Sequence, residues 1–204
     1  MRRKTNKKIL IICILLVILS IGFSRKEEIQ VNEKHKLLEY YPQKEMIKIF
    51  RDDLGNKGFT QIVDKIENNK VQIKQIDELT SVVMIYEIKE DYIKLIFTEE
   101  VGENKFKEDY IKELNPNRND FIIKAPIKVG TKWHDNLGGY YEIIKTDAIV
   151  KTSLDEFEAI VVRYKNDDFT VKEYYSKDLG LVKIVVNNFS AYQLEEINFE
   201  WKTS

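Results

Sequence analysis

The feature that most constrains the fold is a succession of short segments in which apolar and polar residues alternate. VQIKQI (71–76), SVVMIYEIK (81–89) and YIKLIFT (92–98) come first. FIIKAPI (121–127), YYEIIKTDAIVKT (140–152), FEAIVVRYK (157–165), FTVKEYYS (169–176), LVKIVVN (181–187) and AYQLEEINF (191–199) follow. Val82, Met84, Tyr86 and Ile88 fall on one face of the second segment, and Ile93, Leu95 and Phe97 on one face of the third. Side chains of a strand point alternately to its two faces, so this period predicts half-buried strands of an antiparallel sheet. The breaks ENNK (67–70), LDE, NDD, KDLG and NFS are turn chemistry, since Asn, Asp and Gly tolerate left-handed backbone angles. Strands at a spacing of about 8–12 residues with polar turns predict a mainly β meander.

Two stretches read differently. In ENKFKEDYIKELNPNRND (103–120), Phe106, Tyr110 and Leu114 recur at helical spacing before an NPNRND loop. A short helix and a strand followed by a loop both fit it. YPQKEMIKIFRDDLGNKGF (41–59) aligns with APIKVGTKWHDNLGGYY (125–141), Pro42 on Pro126, Lys48-Ile49 on Lys132-Trp133 and Gly55 on Gly139. Chance similarity and a true repeat fit equally. A true repeat makes the domain two similar halves of one curved sheet.

The N-terminus constrains location. MRRKTNKK carries Arg2, Arg3, Lys4, Lys7 and Lys8 with no acid, and ILIICILLVILSIGF (9–23) is nearly all apolar. A basic stretch before an apolar core of about 7–15 residues has the layout of a secretory signal. The core is short for a spanning helix, which needs about 20 residues. Ser20/Gly22 or Gly22/Ser24 supply a poor cleavage site, so a cleaved signal and a tilted N-terminal apolar helix acting as a signal anchor both fit. Positive residues stay inside, which places the remainder of the chain extracytoplasmic, secreted or held at the cell membrane by residues 9–23. Arg2-Arg3 reads as part of an ordinary basic start, not as a twin-arginine signal. Residues 25–40 are polar and mixed in charge, a tether or short helix leading to a β-rich domain over 41–201.

Composition excludes more than it selects. With 204 residues, 43% of them hydrophobic, the chain is long enough to bury a core without a metal or disulfide staple. Beyond residue 24 there are 28 basic and 34 acidic residues, a formal net charge of −6 that repels phosphate backbones, so nucleic acid is not an expected partner. Cys13 is the one cysteine and sits inside the apolar core, with Ile12 where a lipidation signal wants a small residue. An intramolecular disulfide and thiolate metal sites are excluded. His35 and His134 are too few for a histidine metal site or triad, and no G-x-S-x-G, H-E-x-x-H, phosphate-binding or dinucleotide-binding glycine motif occurs. The acidic doublets Asp52-Asp53, Glu99-Glu100 and Asp167-Asp168 lack the spacing of a calcium loop and read as solvated turns. No cofactor, no metal and no catalytic residue is expected.

KEYYSKDLGLVKI (172–184) reads as a hairpin: Tyr174 and Tyr175 on opposite faces, a turn at Ser176-Lys177-Asp178, and Gly180 where the chain re-enters the sheet. Trp133, Tyr140, Tyr141 and Tyr175 form an aromatic set that serves either as core or as the lining of a groove on the concave side of a bent sheet, the candidate ligand-binding residues.

YYP (40–42), PIKVGTKW (126–133) and EYYSKDLGLVKI (173–184) together resemble a family of lipoproteins of unknown function from Gram-positive, clostridial-type bacteria. That family carries a YYP…G-x-x-W opening, a P-(I/L)-x-x-G-(T/S)-x-W centre and a YY-(S/A)-x-x-(V/L)-GLVK hairpin, and the resemblance spans about residues 40–201. Met46 and Ile49 stand where the opening Gly and Trp would be, and Gly22-Phe23-Ser24 stands at the family's Gly-Cys-Ser junction, so no cysteine is available there for a lipid anchor. The strand pattern is similar to lipoprotein-carrier half-barrels, which hold acyl chains. The resemblance implies a single, strongly curved antiparallel sheet, a half-barrel or open barrel. The implied function is an exported, non-catalytic binding module for an apolar or lipid-like ligand or an envelope partner protein; a structural protein of the envelope is the alternative.

Overall fold

A computed structural model describes residues 37–199 apart from 103, 104, 136 and 137. The apolar segment 9–23, its basic flank, Cys13, His35 and most of the tether lie outside the described residues, and with them the readings of signal, anchor and lipidation. Among the described residues no helix is long and apolar enough to cross a membrane.

Twelve strands form one antiparallel sheet: β1 (Met46–Arg51), β2 (Lys57–Glu67), β3 (Lys70–Ile76), β4 (Ser81–Ile88), β5 (Tyr92–Glu100), β6 (Asp120–Lys124), β7 (Lys132–His134), β8 (Tyr140–Lys151), β9 (Glu156–Lys165), β10 (Thr170–Ser176), β11 (Gly180–Val186) and β12 (Phe189–Asn198). The order across the sheet is β6-β5-β4-β3-β2-β1-β12-β11-β10-β9-β8-β7. Each strand pairs with its neighbour in the chain and β12 returns to β1. Among the described residues the ladder is open between β6 and β7 alone. The sheet curls until those edges meet, where the Trp133 indole N–H donates to the Phe121 carbonyl at 3.0 Å. The molecule is thus a nearly closed up-and-down barrel with one seam. The open-barrel expectation holds. The aligned segments 41–59 and 125–141 fall on the starts of β1–β2 and β7–β8.

Two hairpins turn on Asn-Asn pairs, Asn68-Asn69 between β2 and β3 and Asn187-Asn188 between β11 and β12, all with positive φ. Two left-handed residues in succession match the right-handed twist of the flanking strands. Tyr174 and Tyr175 separate as expected: Tyr175 is 4% exposed on the inner face, and Tyr174 is half-buried on the other.

Gly180 has a double requirement. Its φ is +70°, and an added Cβ would stand 2.9 Å from Pro42 Cδ. Gly55 has φ +78° but open space around it. Gly55→Ala is therefore expected to lose about 1 kcal/mol, the left-handed penalty alone. Gly180→Ala should lose more, about 2 kcal/mol or above. Urea unfolding of the two variants side by side checks the order; equal losses would mean the Pro42 contact relaxes freely.

Residues 105–114 are a series of turns, not the regular helix that helical spacing allowed. The Gln72 amide explains it: its Oε1 accepts the Tyr110 N–H at 2.8 Å and its Nε2 donates to the Glu108 carbonyl at 3.2 Å. Those bonds hold the segment against β3 instead of within a helix. The apolar periodicity still finds its use. Phe106, Tyr110 and Leu114 cover Val83, Ile85 and Phe97 on the outer face of β4 and β5.

Candidate functional site

The inner face is mostly apolar. Met46, Val63, Val71, Ile73, Ile93, Ile143, Ile160 and Val162 pack at one end, and Phe50, Phe59 and Leu194 at the other. Between the two clusters the lining turns polar. Met46, Lys48 and Phe50 share the buried face of β1, and Lys48 is 1% exposed. Lys48 pairs across the ladder with Gln61 of β2, and Gln61 with Gln75 of β3. A polar row thus crosses three strands inside an otherwise hydrophobic barrel.

Each member of the row is constrained. Lys48 Nζ donates to the carbonyls of Leu179 and Leu181, both at 3.0 Å, and lies 5.4 Å from the centre of the Phe50 ring. Among the described residues no carboxylate forms an ion pair with it. Burial alone brings its ammonium down from 10.5 to about 7. Gln61, 6% exposed, donates from Nε2 to Gln75 Oε1 at 3.2 Å, while its own Oε1 is buried with no hydrogen-bond partner.

A second polar group stands on β10. The Tyr175 hydroxyl donates to Glu173 Oε2 at 2.7 Å. Burial pushes the Glu173 carboxyl above the usual carboxylate range, and the tyrosine hydrogen bond offsets part of that rise. Tyr41, just before β1, packs its ring against that of Tyr86 of β4, with ring centres 5.1 Å apart. Burial first, and charge near Glu173 second, hold the Tyr86 and Tyr175 hydroxyls well above their ordinary range.

These groups line one cavity of about 360 Å³. Its apolar wall is Phe59, Ile73, Met84, Ile122, Leu181 and Ile184. Exposed Asp77 and Tyr192 mark its mouth. The volume lies in the lower part of the range for small-molecule sites, and the mix of an apolar wall with a few fixed polar groups is that of a ligand pocket. Among the described residues no cluster of three or more His, Cys, Asp or Glu side chains is placed to hold a metal ion.

The four aromatic candidates divide. Tyr175 lines this cavity. Trp133, 5% exposed, stacks on Tyr141 with ring centres 5.4 Å apart and planes 6° apart, and seals the seam. Tyr141 also lines a separate cavity of about 420 Å³ at the seam, with Phe121, His134 and Tyr164. Tyr140, its neighbour on β8, points to the opposite face beside His134 and under the Lys132 ammonium. Successive residues on a strand cannot share a face. Lys48, Gln61, Gln75, Glu173, Tyr41 and Tyr86 were not among the binding candidates that the sequence suggests. The available signal was MIKIF (46–50), an alternating strand whose central inward position is a lysine.

Two of the three motifs, YYP and the 173–184 hairpin, meet beside this cavity, while PIKVGTKW lies at the seam. Pro42 of YYP packs against Gly180 of the hairpin, and Gln43 N–H donates to the Asp178 carbonyl at 3.3 Å. Tyr41 and Tyr175 face the same cavity. No family model matches the chain, and no curated protein matches it. Solved structures that are similar include two from bacteria of the genera Bacteroides and Parabacteroides. A Bacteroides fragilis protein described as exported, with a YmcC-like fold, is 15% identical at a TM-score of 0.47, covering 78% of this chain and 98% of its own. A Parabacteroides distasonis protein described as a lipoprotein is 17% identical at a TM-score of 0.40, with the same two coverages.

Proposed function

We propose that this protein is an extracytoplasmic, non-catalytic binding module that holds an apolar or lipid-like ligand inside its barrel. The observation that carries the reading is the cavity of about 360 Å³ on the concave face, apolar on one wall and fitted with buried polar groups on the other. A structural barrel of this size would fill that space with side chains. The basic, apolar N-terminus supports delivery across the membrane. The motif resemblance to bacterial lipoproteins and to acyl-holding half-barrels points the same way. Binding is favoured over catalysis because the buried cation and the buried carboxyl are already engaged, Lys48 by two carbonyls and Glu173 by Tyr175.

Native mass spectrometry of the chain exported by a bacterial host and purified without detergent tests the reading. The expected result is a co-purifying mass that leaves on denaturation, or one acquired when small amphiphiles are added. A bare protein mass under both conditions would overturn it. The second reading, an envelope protein that acts through contacts, is favoured by the seam, where β6 and β7 share no ladder and an added strand would pair once the edges part. It predicts that bare mass.

A further inference from the structure

The polar row inside the barrel deepens the binding reading and rests on it. We propose that Lys48 and Gln61 form the head-group subsite of the cavity, and that the occupant is a small amphiphile bearing a single carboxylate with a hydroxyl or amide N–H close beside it.

Three observations converge on that chemistry. An ammonium carries three donors, and the two taken up by the carbonyls of Leu179 and Leu181 leave one for a ligand. The carboxylates that line the same cavity do not serve as its counter-charge: Glu173 is bound by Tyr175, and Asp77 accepts from Leu79 N, Thr80 N and the Thr80 hydroxyl. A lone buried cation with no acidic partner is matched by a monoanion brought from outside. A phosphate dianion would want a second cation and would meet Glu173 and Asp77 in the same space.

Gln61 supplies the second half of the argument. Three buried side-chain atoms among the described residues have no hydrogen-bond partner, and two of them belong to ion-paired side chains, Glu39 with Lys177 and Arg163 with Glu142. Gln61 Oε1 has neither a hydrogen bond nor an ion pair, and its side chain lines the cavity next to Lys48. An orphaned acceptor beside a cation asks for a group that offers a donor next to an anion. A hydroxyl or amide on the carbon chain near the carboxylate satisfies both. The tail then lies on Phe59, Ile73, Met84, Ile122 and Leu181. The cavity volume suits a single short chain rather than a two-chain lipid.

Titration calorimetry on the exported chain tests this with three probes of one chain length: 3-hydroxydecanoate, decanoate and decanol. The expected order of affinity is 3-hydroxydecanoate above decanoate, and decanoate at least about tenfold above decanol. Lys48→Met should erase the preference for decanoate over decanol while leaving decanol binding unchanged. Gln61→Leu should erase the preference for the hydroxylated acid and leave decanoate against decanol as it was. Retained decanol binding shows that each variant is folded. Equal binding of decanoate and decanol to the parent protein, or an unchanged carboxylate preference in Lys48→Met, would overturn the subsite and leave the apolar binding module standing. Binding of none of the three probes overturns both.

Discussion

Lys48→Met is expected to stabilise the empty protein at pH 6 by several kcal/mol, and to do so progressively less as pH rises toward 9.5. Unfolded, the lysine holds its proton up to about 10.5; folded, only to about 7. Between those values the unfolded chain binds more protons than the native one, so native stability rises with pH across the window. Below pH 7 the full penalty of a buried ammonium is present. A difference of about 3.5 pH units corresponds to on the order of 5 kcal/mol. Methionine removes the charge while its unbranched chain follows the lysine stem past Phe50. Other groups move in the opposite direction. Glu173, raised by burial, makes stability fall as pH climbs through and above the carboxylate range, and the raised tyrosines do the same above pH 10. Both are common to parent and variant, so the difference between the two isolates Lys48. Urea unfolding of the pair at pH 6, 7.5 and 9 reads it out. A gap that does not shrink with pH, or a variant less stable at pH 6, would show that Lys48 is not a strained buried cation.

The same change is expected to weaken carboxylate binding, so stability and ligand selectivity trade against each other at one residue. That trade is the usual mark of a functional position in a core. A methionine or leucine at position 48 would fill the wall at lower free energy. Under the proposed binding role, the charge has its value in the loaded state, where a bound anion would supply the counter-charge that the protein withholds.

How much of this was legible in the sequence depends on which force set each feature. Alternating, β-branched and aromatic-rich segments between turn signals marked β3 to β6 and β8 to β12. Asn68-Asn69 was legible because few residues accept two left-handed angles in succession. β1 and β2 were harder to read, since Lys48 and Gln61 sit on inward positions where the pattern wants apolar residues. The strands that carry the site are thus the ones whose periodicity the site disrupts. The pairing of β1 with β12 and the approach of Tyr41, Tyr86 and Glu173 are long-range contacts that no local window contains. Aromatic content pointed to Trp133, Tyr140 and Tyr141, but the seam they occupy exists only once the sheet has curled through all twelve strands. The turn segment 105–114 carried a correct apolar face and an open choice of backbone, because Gln72 on β3 decides its conformation.

Trp133→Ala is expected to cost about 3–5 kcal/mol, and its effect should be concentrated at the seam. The indole does two things there. It fills the space between β7 and the core, stacked on Tyr141, and it supplies the N–H that joins β7 to the Phe121 carbonyl of β6. Few other bonds hold that edge. β7 is three residues long and β6 five, and neither has a ladder partner on its seam side. Trp133→Phe separates the two roles, since the ring remains while the donor goes. It should cost about 1–2 kcal/mol, the usual range for leaving a buried carbonyl without its donor. Hydrogen exchange distinguishes local from global loss. In Trp133→Phe the amides of β6 and β7 should exchange faster while those of β1, β2 and β12 keep their protection. Uniform acceleration throughout the sheet would mean that the seam is not a separate opening unit and that barrel closure is as cooperative there as at the β1–β12 ladder. Protection unchanged everywhere would mean the indole hydrogen bond contributes nothing to closure, leaving the stacking on Tyr141 as what holds the two edges together.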